Sequence, residues 1–453
     1  MSFSSIIFIF IFLPISVILY YLIPVKYRHK YLLIISLLFY LASGIRNLII
    51  LISLILFNFY ATKKMDKLNH KNRKLMLWFI IVVNVFLIFY YKYYFPFLSL
   101  ITSESNFKKL VAPLGLSFYL FTILSYVIDV YKKKIKCEQE LLPFALYISF
   151  FPKLLMGPIV RYSSFRKELK KKKFNEELFH HGFKRFILGL SMKCILADTF
   201  SRLIASYSSS STIGSIFLLI FYSLQIYYDF AGYINMALGI SNLFGYTFEE
   251  NFTYPYTSKS VSEFWNRWHI TLGKWFKNYI YIPLGGNRKG PKRLILNILI
   301  VWLLTGIWHG ATFNYILWGL YFGLIIIIEK LWLKDKKIPN FARILITLIL
   351  VSIGWLIFFN KDYDIIFNNL KHLIIWNKFI DKDILFILKN NYIYIIVGLI
   401  MATPLIRNIG EIIKKKNTLV YNIFNTIYLC GLFILSISFI ISNSYNTFLY
   451  FNF

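Results

Sequence analysis

An all-α, polytopic membrane protein of about eleven transmembrane helices is the fold that three features of this chain predict. Of its 453 residues, 58% are hydrophobic and 20% aromatic, and the mean hydropathy is +0.60, too apolar for a surface that meets water on all sides. Only 16% of residues are charged, yet 51 Lys and Arg against 20 Asp and Glu leave a net charge of +31, so the basic residues are clustered. The clusters alternate with long uncharged runs, which is the pattern of loops held on the cytoplasmic side and excludes nucleic acid as the partner.

The elements follow in order. The first 25 residues carry no charge, no basic start and no small-residue cleavage site, so a retained membrane anchor is expected. Spans are predicted near 5–23, 31–60, 75–95, 111–128, 183–205, 214–240, 294–309, 312–328, 344–360, 390–406 and 419–442, the second broken near Gly44 and Arg46. Lys63, Lys64, Lys67, Lys71, Arg73 and Lys74 place the stretch 61–74 inside, and the stretch 361–389, where Asp residues offset the lysines, falls outside. The basic stretches at 131–136, 161–173, 330–343 and 414–416 then also lie inside, provided that 141–157 dips in and returns. Pro143, Pro152, Gly157 and Pro158 support such a re-entrant element. The N-terminus is then cytoplasmic and the C-terminus outside. With no internal repeat and no linker, residues 1–453 read as one transmembrane domain, its motifs between about 110 and 330. Cys137, Cys194 and Cys430 are too few for a disulfide framework and none has metal-ligand spacing, so no metal site and no tightly bound cofactor are expected.

Chemistry-bearing residues concentrate between Asn242 and Ile328. Trp265, Trp268, Leu272, Trp275 and Tyr279 recur at helical spacing, with Glu263, Asn266, Arg267, Lys274 and Lys277 on other faces, which predicts a helix lying in the interface with its aromatic side down. Glu263 and Arg267 are four apart in the order that favours a side-chain pair. His269 adjoins this stripe, either as a satisfied interfacial histidine or as a functional one. The turn Tyr281–Arg288 carries Pro283, Gly285, Gly286, Asn287 and Arg288, an ordinary tight turn or a cradle for anionic oxygens. His309 is the sharper signal, because it is the only His, Asp, Glu, Lys or Arg in the run 294–328. At about 1.5 Å per residue it lies about 24 Å from Leu294, deep in the membrane or toward its outer side. Thr305 shares its face, and Gly306 and Gly310 relieve crowding around it. A polar group so placed is a functional candidate, and a neutral imidazole there can take a proton from a hydroxyl. Asp229, inside 218–239, needs a partner, for which Arg161 and Arg267 are candidates.

The stretches Gly157–Tyr162 (GPIVRY), Asp229–Tyr233 (DFAGY), Phe264–Leu272 (FWNRWHITL), Tyr281–Arg288 (YIPLGGNR) and Thr305–Thr312 (TGIWHGAT) resemble the membrane-bound O-acyltransferase family. The YIPLGGNR turn points to its alginate and peptidoglycan O-acetyltransferase branch. The resemblance implies a bacterial inner-membrane enzyme with a central funnel or tunnel, whose near-invariant histidine maps to His309 and whose second histidine motif maps to His269. It also implies acetyl-CoA as the acyl donor, an extracytoplasmic glycan as the acceptor, and a separate esterase-like partner protein. On this reading Trp308, Asn266, Arg267, Trp268 and the glycine turn shape the donor side, and His309 acts as general base or carries the acyl group. A D-alanyl transfer protein of teichoic acid synthesis and a lipid or glycan transporter are the alternatives. The second lacks the internal repeats common in transporters.

Overall fold

A computed structural model describes residues 1–101, 111–170, 174–208, 211–333, 336, 338–376 and 378–442, with 95–101 described in backbone only. Residues 171–173, 334, 335, 337 and 377 of the expected loops, and 443–453 after the last expected span, lie outside these. Among the described residues the chain is helical, and strand-like pairing is limited to one isolated antiparallel bridge, Phe252 with Trp268.

Among the described residues, eight helices are long and apolar enough to cross a membrane: Ile45–Lys67, His70–Tyr94, Thr212–Leu243, Gly290–His309, Phe313–Leu333, Asn340–Phe359, Lys382–Met401 and Thr418–Ser442. The expectation of eleven counts segments that fold as shorter pieces. Phe8–Leu22 and Leu116–Tyr131 are apolar but shorter. The latter begins late because Pro113 and Gly115, at φ +75°, turn the chain first. Expected span 183–205 is a helix, Glu176–Ser191, continued through a π-turn, Met192–Ala197, into Asp198–Ala205. The break after Leu41 is real, with Gly44 at φ +114° between Arg28–Leu41 and Ile45–Lys67.

The chain divides into two compact units. The first comprises Met1–Phe186 and Tyr233–Glu249. Its core includes Phe3, Phe8, Phe39 and Phe151, ring against ring, and a buried amide pair in which Asn58 and Asn84 each donate to the other, at 3.1 and 2.8 Å. The expected re-entrant segment is a nine-residue helix, Leu141–Ser149, and a four-residue one, Phe151–Leu154. A helix of nine residues reaches about 14 Å, so neither piece crosses a hydrocarbon core of about 30 Å.

The second unit comprises Ile187–Gly232 and Glu250–Phe453. Its centre is the hairpin of Gly290–His309 and Phe313–Ile328. The helices meet closely because a Cβ at Gly306 would stand 2.4 Å from the Tyr315 carbonyl oxygen, and one at Gly319 would stand 2.4 Å from that of Trp302. Small residues at such crossings let backbones approach where the hydrophobic effect cannot drive association. Asp229 finds a partner that the sequence reading missed. Lys193, on the π-turn, donates to Asp229 at 2.7 Å and to Asp198 at 2.8 Å. Arg267 is instead bound to Glu263, and Arg161 is exposed.

Candidate active site

The site is built from the hairpin and from the segment before it. The helix Gly290–His309 has 20 residues, about 30 Å of rise, so His309 sits at the far end of a full crossing. There it is buried among rings: Trp308 at 4.5 Å, Trp318 at 5.1 Å, Phe358 at 5.0 Å and Tyr315 at 6.1 Å. Gly310 leaves room for this packing, since a Cβ there would stand 2.6 Å from the Tyr315 ring. Thr305, one turn earlier, donates to the Val301 carbonyl at 2.7 Å.

The expected single amphipathic helix is broken at His269. Val261–Arg267 and Ile270–Phe276 are separate seven-residue helices, and His269 between them holds φ +44°, a left-handed conformation that costs a non-glycine residue about 1–2 kcal/mol. The surroundings enforce it. Thr253 donates to the Arg267 carbonyl at 3.1 Å, Ile270 donates to the Asn251 carbonyl at 3.0 Å, and the Phe252–Trp268 bridge lies between them. The first helix is anchored at its other end by side chains. Ser260 Oγ accepts from the Glu263 N–H at 3.0 Å. The Glu329 carboxylate accepts from the N–H groups of Val261 and Ser262, at 2.6 and 2.8 Å, and from Ser262 Oγ at 2.7 Å. These bonds satisfy donors that a helix start leaves open.

The aromatic stripe does not lie down on an interface. Trp268 and Trp275 are buried, and Trp265 and Trp268 pack against Trp302, Trp318, Phe322 and Trp355. The stripe serves as core because the hairpin and the helix Asn340–Phe359 offer aromatic faces to it. The Glu263–Arg267 pair forms as predicted, with Thr257 Oγ1 accepting a further bond from Arg267 at 2.8 Å.

A cavity of about 400 Å³ brings the two histidines together. His269 and His309 both line it, as do Asn266, Trp268 and Thr305, and three lysines, Lys274, Lys277 and Lys330, stand along its wall. His269 is 4% exposed, and burial pushes its imidazole down to about 3, so the ring is neutral at physiological pH. Arg267, Trp308, Asp229, Gly285, Gly286, Asn287 and Arg288 are not among those lining the cavity. Gly285 and Gly286, at φ +107° and +59°, form a turn whose carbonyls are held by the next helix: Arg293 Nε donates to the Leu284 oxygen at 3.0 Å and Asn297 Nδ2 to the Gly286 oxygen at 2.8 Å.

Sequence reasoning missed Asn251, Glu329, Lys330 and the tryptophans at 302, 318 and 355. The Ser260–Glu263 spacing was a legible capping signal. Nothing local marks Asn251, whose role comes from a contact 18 residues along the chain.

The model of the membrane-bound O-acyltransferase family matches residues 138–359. The chain is 36% identical over 374 residues to the "probable alginate O-acetylase" of Pseudomonas putida, covering 79% of this chain and 77% of that protein. It is 30% identical over 420 residues to the peptidoglycan O-acetyltransferase of Helicobacter pylori, covering 82% and 79%. A teichoic acid D-alanyltransferase of Bacillus subtilis is 28% identical over 291 residues, covering 59% of this chain and 74% of that protein. Together with the multi-pass helical fold, these similarities establish that the chain is an acyltransferase and belongs to the membrane-bound O-acyltransferase family.

Proposed function

We propose that the chain transfers an acetyl group from acetyl-CoA on the cytoplasmic side to hydroxyls of an extracytoplasmic polysaccharide or peptidoglycan, with a separate esterase-like protein completing delivery. The observation that carries this reading is the cavity lined by both histidines and by three lysines. The thioester enters past Lys274, Lys277 and Lys330, whose charges suit the phosphates of the donor. At the other end of the pathway His309 takes the proton of the acceptor hydroxyl as its oxygen bonds to the acyl carbon. The carbon–sulfur bond breaks and the thiolate leaves, to be protonated as free CoA. His269 and Asn266 hold the donor, while Trp268 and Trp308 pack the cavity wall and His309. Asp229, Arg267 and the Gly285–Arg288 turn fix the helices around them. The basic stretches orient the protein in a bacterial inner membrane with its N-terminus inside.

The test is mass spectrometry of envelope polysaccharides from cells carrying wild-type protein or His309→Ala. Loss of acetyl esters at equal membrane abundance supports the proposal, and unchanged acetylation overturns it. Loss of D-alanyl esters in place of acetyl esters would favour the alternative, which the lower identity and coverage of the D-alanyltransferase relative put second.

A further inference from the structure

Hydrogen-bond logic around His269 decides which of its ring nitrogens carries the hydrogen. Asn251 is fully buried, and its Oδ1 faces three groups: the backbone N–H of Thr271 at 2.9 Å, the Thr271 hydroxyl at 3.0 Å and His269 Nδ1 at 3.3 Å. A backbone N–H can only donate, so the amide is oriented with its oxygen, not its nitrogen, toward this group. A carbonyl oxygen can only accept. The His269 nitrogen that meets it therefore carries the hydrogen, and because the buried ring is neutral, the lone pair lies on Nε2. The other half of the amide takes no part, since Asn251 Nδ2 is buried without a hydrogen-bond partner. The backbone adds to the lock, for Asn251 also accepts from Ile270 N–H at 3.0 Å and so holds the left-handed turn on which the ring is mounted.

We infer that Asn251 is a positioning residue for acyl transfer: its Oδ1 holds His269 in the Nδ1–H tautomer, so that the ring meets substrate as a hydrogen-bond acceptor through Nε2. The inference rests on the proposed acyl-transfer reading, in which His269 serves the donor side, and it narrows that role. A ring in this tautomer has no N–H at Nε2 to stabilise an oxyanion there. The substrate group that meets it is a donor, an N–H or O–H such as the amide N–H of a pantetheine arm. Asn251 thereby selects for a thioester donor whose arm carries amide hydrogens.

Two variants and one spectrum test this. Asn251→Asp keeps an accepting oxygen toward Nδ1 and replaces the unbonded nitrogen by a second carboxyl oxygen, whereas Asn251→Leu keeps the size and removes the acceptor. In protein labelled with ¹⁵N-histidine and reconstituted in lipid bilayers, the resonance identified by its loss in His269→Gln should show a protonated Nδ1 and a bare Nε2. A protonated Nε2 in the wild type overturns the inference whatever the kinetics. With acetyl-CoA as the probe, Asn251→Leu should raise the donor KM about tenfold, with kcat changed less than about threefold, and Asn251→Asp should return KM to within about threefold of wild type. An unchanged KM in Asn251→Leu overturns the positioning role. If Asn251→Leu fails to fold, a protonated Nε2 in the wild-type spectrum still refutes it. If His269→Gln leaves donor KM untouched, it is the donor-side reading of His269 that falls, an outcome separable from the tautomer.

Discussion

His309 and His269 line one cavity, yet they are held there by different means. His309 ends a 20-residue helix and is surrounded by rings, its place set by how closely two membrane helices can approach at Gly306 and Gly319. His269 stands in a break between two seven-residue helices, pinned by a backbone bridge and by one buried amide. A helix crossing places the first histidine, and a hydrogen-bonded break between helices places the second. A loss at the first should therefore appear as failed chemistry or failed packing, and a loss at the second as misplaced substrate.

The largest effect is expected at the helix end. Replacing His309 by Ala removes the proposed general base and should lower kcat by about 10²–10⁴-fold with the donor KM little changed, measured by acetyl-CoA consumption in reconstituted protein. A KM effect as large as the kcat effect would mean that the two histidines are not divided in this way.

The next effect tests the packing itself. Gly319→Ala places a methyl 2.4 Å from a backbone oxygen of Trp302, which cannot rotate out of the way. Overpacking of this kind costs about 1–3 kcal/mol, and the thermal midpoint in detergent should fall. Gly273→Ala is the control on the His269 side. Its nearest neighbour would be the Trp265 oxygen at 3.8 Å, ordinary contact, and alanine favours the helix, so the midpoint should hold or rise.

What could be read from the chain divides along the same line. His309 was visible because membrane helices have a simple grammar: one ionisable side chain in a long apolar run is conspicuous. The crossing helices and the break at Gly44 were legible for the same reason. The count of eleven is not confirmed: among the described residues eight helices are long and apolar enough, and Phe8–Leu22 and Leu116–Tyr131 are apolar but shorter. The stripe at Trp265 to Tyr279 has a genuine helical period, but period alone cannot say whether an aromatic face meets lipid or another aromatic face, nor that the helix stops at His269. Asp229 was noticed but its pairing with Lys193 was missed, because the contact joins residues 36 apart. Asn251 had no local signal of any kind.

Acidity offers a further way to separate the histidines. The folded His269 has its pKa lowered to about 3, against about 6.5 when unfolded. The unfolded chain therefore binds the proton first, and stability contributed by this group falls as pH drops below 6.5. Between pH 6.5 and 5 the loss is about 2 kcal/mol. His269→Gln should flatten that part of the stability profile in detergent, while changes at His309 that leave His269 buried should not. A profile equally steep in His269→Gln would show that the ring is not held neutral.

The smallest effect concerns the lysines. Lys274, Lys277 and Lys330 stand on the cavity wall, on three different elements, and all three are exposed. Exposed charges contribute little individually and are screened by salt. Each Lys→Gln change should raise the donor KM about two- to threefold at low ionic strength, with kcat unaltered, and the difference should shrink as salt is added. A dephospho analogue of the donor should respond less to the substitutions than acetyl-CoA does, because it has fewer charges to lose. This outcome would separate the lysines from His269, whose contribution is a buried hydrogen bond and is insensitive to salt. If the lysine variants instead lost kcat without any salt dependence, the basic wall would be part of the packing that holds Glu329 against Val261 and Ser262, and the donor's phosphates would have to be met elsewhere.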